Sequence, residues 1–429
     1  MTDDEPTDVV TVFLRNGGEV LLLRRSDDVG SYPGRWGGVA GHTERDPDAA
    51  VREEVREETG IDPSALDLAR RGEPFVVEDG AFAWRVHPYL FDCPTREVTT
   101  NYETAEHEWT SPTEILRRET SEAPASGRRA GEARETVPEL WISYDRVRPT
   151  PGTVADDTEH GSAYLSLRAL ECLRDEAALT VERDGDWDDL VAVARDLLDA
   201  RPSMAVVANR VNRAMHEASR DRSPEAVERA ASEGHRRARA ADAGAASLDP
   251  DWERVLTLSR SGTVRRALLD ASLERVFVAE SRPAREGVGV AEHLAEDSAV
   301  TLHTDAAVAH VLATREVDAV VVGADAVLAD GSVVNKTGTR AAALAAGREG
   351  LPLHVVCAAD KITPEETPHL ESGTPEAVYD GDADIDVLNP TFDVTPPDLV
   401  SAVRTERGVL DADGVRAVAE EHARLRDWR

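Results

Sequence analysis

Lysine is almost missing from this chain. Of 49 basic residues only Lys336 and Lys361 are lysine, and every other one is arginine. An ammonium is a compact point charge whose pKa can move, whereas a guanidinium is a rigid fork that stays charged. The two lysines therefore mark positions where arginine will not serve. Cysteine is also scarce: Cys93, Cys172 and Cys357 are scattered, with no CxxC or Cys/His spacing, so neither a disulfide framework nor a zinc site is indicated. A basic excess is absent. With 83 acidic residues, a net charge of −34 and 4% aromatics, the chain lacks the basic face of a direct nucleic-acid surface. Such a balance fits the solvated acidic exterior of a halophilic protein, where salt screens self-repulsion, and it makes most acid clusters a matter of solvation. No stretch is apolar and long enough to cross a bilayer, and the acidic start MTDDEPTD does not read as a signal peptide. A soluble, cytoplasmic protein with no membrane partner is expected. At 429 residues it is too long for one typical core, and two or three domains are expected.

Residues 321–340 join a strand, an acid, a Gly-rich turn and a lysine. Val320, Val321 and Val322 form a β-branched run that predicts a strand buried on both faces in a parallel sheet. Asp325 falls at its carboxyl end, where open α/β sheets form their ligand crevice. After the turn at Asp330 and Gly331, the run from Asn335 to Thr339 is expected to open an Ala-rich helix whose free N–H groups, with Lys336 beside them, suit a phosphate. Lys361 likewise follows a strand.

In the first 118 residues, two apolar runs at 9–15 and 19–25 flank Asn16-Gly17-Gly18 and predict a β-hairpin. Asp46 before Pro47 predicts a helix start, and Gly60 its stop. Between them Glu54, Glu57 and Glu58 fall at i, i+3 and i+4 on one face. Like charges at that spacing are unfavourable unless a cation joins them, and Mg²⁺ takes hard oxygen ligands of this kind.

The flanking pattern resembles the Nudix box: a loop with Trp36, Gly37, Gly38, Gly41, His42 and Glu44, then a helix approximating REUxEExGU. Counting back from Gly60 and Ile61 puts the box's metal-binding glutamate on Glu54. Counting forward from Gly38 gives Glu44 and Arg52 the places of the loop glutamate and box arginine, so the run from Arg52 to Glu57 is one residue too long. The resemblance implies an α/β/α sandwich and hydrolysis of a nucleoside diphosphate linked to another group, with Mg²⁺ (or Mn²⁺) held by Glu54, Glu57 and Glu58, the catalytic residues. It also implies a further ligand or base in the stretch before Trp109, where Glu106, His107 and Glu108 remain equal candidates.

Residues 119–150 begin with a run free of large apolar residues and read as a linker; Trp141, Ile142 and Tyr144 can dock as a short helix on one of the two domains. Helical periodicity at 161–177, 187–200, 203–218 and 223–245 predicts a helical subdomain over 151–250. Strands and helices then alternate through 251–429, which predicts a doubly wound, Rossmann-like parallel sheet. Its strand-end loops carry Ser259, Arg260, Gly262, Arg282, Asp325 and Lys361, a set suited to a phosphorylated, polyhydroxylated small molecule.

VAESRPAREG, VVGADAVLADGSVVNKTGT and NPTFDVTPPDLVSAVRTERGVL resemble the family that unites regulatory subunits of translation initiation factor 2B with methylthioribose-1-phosphate and ribose-1,5-bisphosphate isomerases. With the Nudix domain attached, the chain resembles an archaeal fusion protein. The resemblance implies a homodimer, Asp325 as a catalytic acid/base, and Ser259, Arg260, Gly262, Arg282, Asn335, Lys336 and Lys361 as substrate-binding residues. It also implies a cysteine partner for Asp325, and that position falls on Ser259. A thiol of pKa about 8.5 exchanges protons near neutrality and an alkyl hydroxyl does not without a strong partner. Three functions follow: a Nudix hydrolase, with ADP-ribose as candidate substrate, fused to a sugar-phosphate or nucleotide-binding domain; a regulatory partner of a translation initiation factor; or an aldose–ketose isomerase.

Overall fold

The Asn16-Gly17-Gly18 turn sets the register of the first sheet. In this computed structural model, which describes residues 6–43, 46–79, 82–120, 136–248 and 251–428, β1 (Thr7–Asn16) and β2 (Glu19–Arg25) are antiparallel, with Asn16 opposite Glu19. Gly17 and Gly18 take φ of 66° and 80°, the left-handed pair that a two-residue hairpin turn requires. Then come β3 (Trp36–Gly37), β4 (Val39–His42), α1 (Pro47–Thr59), β5 (Asp67–Arg71), β6 (Phe75–Asp79), β7 (Phe82–Asp92), β8 (Thr104–Thr110), α2 (Thr113–Thr120) and α3 (Leu140–Asp145). The sheet runs β3-β2-β1-β7-β5, with β4 on β1, β6 on β7 and β8 on β2.

Alternation along β1 assigns its faces. Val10, Val12 and Leu14 pack against Val51 and Val55 of α1, while Phe13 packs with Ile115, Leu140 and Tyr144 of α2 and α3. The result is the expected α/β/α sandwich. Asp46 caps α1, accepting from the Asp48 N–H at 3.1 Å, and Gly60 ends it at φ 69°.

Two compact units divide the chain: Met1–Thr150 with Arg174–Asp184, and Pro151–Leu173 with Gly185–Arg429. Part of the expected linker, residues 121–135, lies outside the described residues, as does Glu44. From Thr136 the chain belongs to the first unit, where Trp141 and Tyr144 are buried beside Ala178 and Leu179.

In the second unit α4 (Pro151–Asp156), α5 (Ser162–Glu182, which ends in the first unit), α6 (Trp187–Ala200), α7 (Ala205–Ala218) and α8 (Pro224–Gly244) precede the alternating region. That region comprises β9 (Arg254–Leu258), α9 (Gly262–Asp270), β10 (Arg275–Ala279), α10 (Glu286–Leu294), β11 (Val300–His303), α11 (Val308–Thr314), β12 (Ala319–Val322), β13 (Ala326–Val327), β14 (Val333–Lys336), α12 (Thr339–Glu349), β15 (Leu353–Val356), β16 (Phe392–Thr395), β17 (Ala402–Thr405), β18 (Gly408–Leu410) and α13 (Ala412–Arg424). The order β11-β10-β9-β12-β15-β17-β18 is parallel as far as β17. Leu256, Val320 and Val355 face α11, α12 and α13, and Val255, Val276 and Val321 face α9 and α10. The sheet is doubly wound, and strand order reverses between β9 and β12. That switch point opens a crevice at the strands' carboxyl ends.

One sequence expectation fails here. Asn335 and Lys336 do not open a helix; they end β14, which pairs with β13 and β16. Asp330 and Gly331 turn a small hairpin instead, because the β-branched Val333 and Val334 suit a pleated surface. The helix begins at Thr339, and its Gly338 and Arg340 N–H groups donate to the Asp393 carboxylate at 2.8 and 3.2 Å. A side chain of the chain itself thus occupies the donors expected to bind phosphate.

A buried ion network ties α7 to the turn after β15. Arg210 donates to Asp360 at 3.0 Å, Asp242 at 2.7 Å and Ser166 at 2.7 Å, and Arg213 donates to Asp360 at 2.6 Å. Burial alone would raise Asp360, but the two guanidiniums outweigh it and hold the carboxyl well below its usual range. Among the described residues no helix is long and apolar enough to cross a membrane.

Candidate functional site

The first unit contains a cavity of about 530 Å³ lined by Glu54, Glu57, Glu103, Arg25 and Gly41, with Tyr32, His42 and Trp84 as aromatic walls. The helix α1 supplies two of these acids because its apolar Val51 and Val55 pack on the sheet, which leaves Glu54 and Glu57 to line the cavity beside Gly41 of β4. Gly41 makes room for them: a methyl group there would lie 1.7 Å from Glu54 Oε1. Glu53 and Arg52 are exposed and do not line the cavity, and Glu58 is buried behind it.

These carboxylates crowd one another. Burial, then Glu57, Glu103 and Glu53, push Glu54 up to about 7. Burial and Glu54 push Glu58 up to about 8, against the lowering effects of Arg25 and the Ala40 N–H. No three His, Cys, Asp or Glu side chains among the described residues are arranged as a metal shell. The donor chemistry nevertheless fits a hard divalent cation, since several carboxylate oxygens share a desolvated site.

Glu103 was not singled out by sequence. The candidates Glu106 and Glu108 lie on β8 rather than in a loop, and their side chains are engaged elsewhere, Glu106 by Arg24 at 2.7 Å and Glu108 by Arg118 at 2.6 Å. Glu103 sits in the turn before β8, its N–H held by Asn101 Oδ1 at 3.0 Å. An Asn two residues ahead of an acid is an Asx-turn signal that could have pointed to it.

The second unit contains a cavity of about 270 Å³ at the switch point, lined by Ser259, Arg260, Gly262, Asp325, Asn335 and Lys361 among others. Six sequence-predicted residues thus come together. Lys336 and Arg282 do not line it: Arg282 is exposed, its backbone N–H donating to Asp305 at 2.7 Å, and Lys336 pairs with Glu286 at 3.1 Å.

Ser259 has φ 64°, its N–H donates to Ser281 Oγ at 2.7 Å, and its hydroxyl donates to Glu286 Oε2 at 2.9 Å. Glu286 therefore bridges Ser259 and Lys336. Its backbone is fixed by Gly287, where a Cβ would meet the Ala279 carbonyl oxygen at 1.9 Å. Asp325 accepts from Ser162 Oγ at 3.1 Å, and the buried Lys361 donates to the Ala324 carbonyl. The cysteines are all buried, and burial pushes Cys357 up to about 12. None lines this cavity. The residues that sequence missed, Glu286 and Ser162, carry no local pattern beyond a charge before glycine and a hydroxyl at a helix start.

Comparison with known proteins matches residues 158–412 to the Initiation factor 2 subunit family and residues 5–130 to the NUDIX domain. A methylthioribose-1-phosphate isomerase of Azotobacter vinelandii is 30% identical over 324 residues, covering 67% of this chain and 90% of its own. The enzyme of the same name from Pseudomonas putida is 29% identical over 334 residues with the same coverage. The translation initiation factor eIF-2B structure from Pyrococcus horikoshii shares the fold, with a TM-score of 0.52 and 24% identity over 61% of this chain and 94% of that one.

Proposed function

Because the chain belongs to the Initiation factor 2 subunit family and carries a NUDIX domain, we propose that it is a divalent-metal-dependent hydrolase of nucleoside-diphosphate-linked compounds joined to a sugar-phosphate-binding domain. The observation that carries this is the carboxylate cluster of Glu54, Glu57, Glu58 and Glu103, two of whose members are pushed to about 7 and about 8. In a fold that needed no cation there, such a cluster would only cost stability. Mg²⁺ or Mn²⁺, when bound, would neutralise pyrophosphate charge and lower the pKa of a coordinated water. Glu54 and Glu57 would hold it from the cavity wall, and Glu58, buried behind the cavity and within charge range of Glu54, would complete the set. Glu103 would orient or deprotonate the attacking water, and Arg25 would meet a phosphate oxygen.

For the second unit the same proposal assigns ligand binding rather than isomerisation. The hydroxyl of Ser259 is turned to Glu286, so it is not directed at Asp325 as the proton-exchanging partner that a thiol there would be. Arg260, Lys361 and the N-terminal turn of α5 would receive a phosphorylated sugar, and the unit would associate as a homodimer. ADP-ribose suits both halves, since its cleavage yields AMP and ribose 5-phosphate. Incubation with ADP-ribose and Mg²⁺ at high salt should release AMP; no AMP, with Glu57→Gln indistinguishable from wild type across other nucleoside-diphosphate compounds, would sink the proposal.

A further inference from the structure

Residues 137–143 fall between the two stretches that match known families, yet they form part of the first unit's cavity. Val137, Pro138, Leu140 and Ser143 line it. The segment is anchored at several points. The Val137 N–H donates to the Trp36 carbonyl at 2.8 Å, beside a strand-like bridge between Thr136 and Trp36. The Trp141 N–H donates to Glu119 at 3.0 Å, and Tyr144 donates to Asp175 at 3.1 Å. Glu139 takes φ 58° to reverse the chain between Pro138 and α3, a left-handed conformation that a non-glycine residue holds only where its surroundings impose it.

Val77 and Val86 extend the same apolar lining, and Trp84 and Tyr32 add ring faces, with His42 edge-on to Trp84 at 5.6 Å. Val77, Val86, Val137, Pro138 and Leu140 offer no side-chain group that can hold a metal or a phosphate. A flat, polarisable, largely apolar group suits this lining, and a base gains affinity by stacking on an aromatic ring.

Building on the hydrolase function proposed above, we infer that residues 137–143 are the wall of a nucleobase pocket, so that a segment outside the NUDIX match helps determine which nucleotides the first unit accepts. Val137 is the position to test, being half-buried and in contact range of Gly37, where a Cβ would lie 3.6 Å from Val137 Cγ2.

The test is calorimetric titration of the full chain with AMP and, separately, inorganic pyrophosphate, both with Mg²⁺, in wild type, Val137→Trp and Val137→Ala. Val137 lies in the first unit, so changes on substitution isolate this cavity from any binding elsewhere. Val137→Trp should weaken AMP at least tenfold and Val137→Ala about fourfold, half the effect of removing two fully buried apolar carbons because the side chain is half-buried, with pyrophosphate unchanged in both. Should Val137→Trp fail to fold by circular dichroism, Val137→Ala carries the test. Unchanged AMP affinity in the folded variants, an equal loss of pyrophosphate, or no AMP binding by wild type would overturn the inference. AMP weakened as expected without cleavage of any nucleoside-diphosphate compound would instead sink the hydrolase activity and leave the nucleobase wall standing.

Discussion

Ser259 donates its hydroxyl proton to Glu286 at 2.9 Å, and the same carboxylate accepts from Lys336 at 3.1 Å. An anion so placed would hold a thiol at position 259 in its neutral form as well. The wild type should therefore not interconvert ribose 1,5-bisphosphate or methylthioribose 1-phosphate with their ketoses, and Ser259→Cys alone should remain inactive. Ser259→Cys combined with Glu286→Gln should gain turnover detectable by NMR. Wild-type turnover that disappears in Asp325→Asn would contradict this.

Replacement of Glu103 should separate it from the acids of β8. Glu103→Gln is expected to lower kcat by about 10²-fold or more, the scale of a lost general base. Glu106→Gln and Glu108→Gln should stay within a few-fold of wild type. The reverse ranking in steady-state assays would return the role to β8.

Gly41→Ala probes the contact with Glu54. The added methyl overlaps Glu54 Oε1, so the carboxylate must leave its position while the sheet is untouched. Activity should fall to the level of Glu54→Gln, with a melting temperature within a few degrees of wild type.

Metal should stabilise the first unit in a pH-dependent way. Glu54 and Glu58 have folded pKa values raised above 4.5, to about 7 and about 8. Their contribution is therefore full below about pH 4.5 and is lost as pH rises through those values. The metal-free melting temperature should fall between pH 5 and 8.5, and Mg²⁺ should restore more at pH 8.5 than at pH 5, the stabilisation at pH 8.5 reaching about 2.7 kcal/mol at a hundredfold excess over the Kd there. Glu54→Gln with Glu58→Gln should flatten both effects; an unchanged slope would show that surface repulsion dominates.

Asp360 works in the opposite sense. Its folded pKa lies below 3.8, so its contribution is present above that value and is lost as pH falls through the folded pKa. Asp360→Asn leaves Arg210 and Arg213 short of a counter-charge in a buried network and should cost about 3–5 kcal/mol near neutrality. Chemical denaturation of the second unit measures it.

The elements of both units were largely legible because their signals are local. Asn16-Gly17-Gly18 and the Asp46-Pro47 helix start act through backbone conformation alone, and the three-residue glutamate spacing fixes one helix face. Residues brought together by distant segments were not legible. Glu286 meets Ser259 and Lys336 only because three strand ends converge, and Asp393 reaches the Gly338 N–H at the start of α12 from a strand 55 positions away. The expected helix at Asn335 failed for a related reason: Val333 and Val334 found partners in β16, and tertiary pairing overrode a plausible local start.

Both lysines lie near a single sheet rim, Lys361 buried at 5% exposure and Lys336 with 17% of its side chain accessible. An acylating or reductive-alkylating reagent would thus find no side-chain amines elsewhere on the protein. Apart from the terminal amino group, the extent of labelling becomes a readout of how often that rim opens, obtained without engineering any tag into the chain.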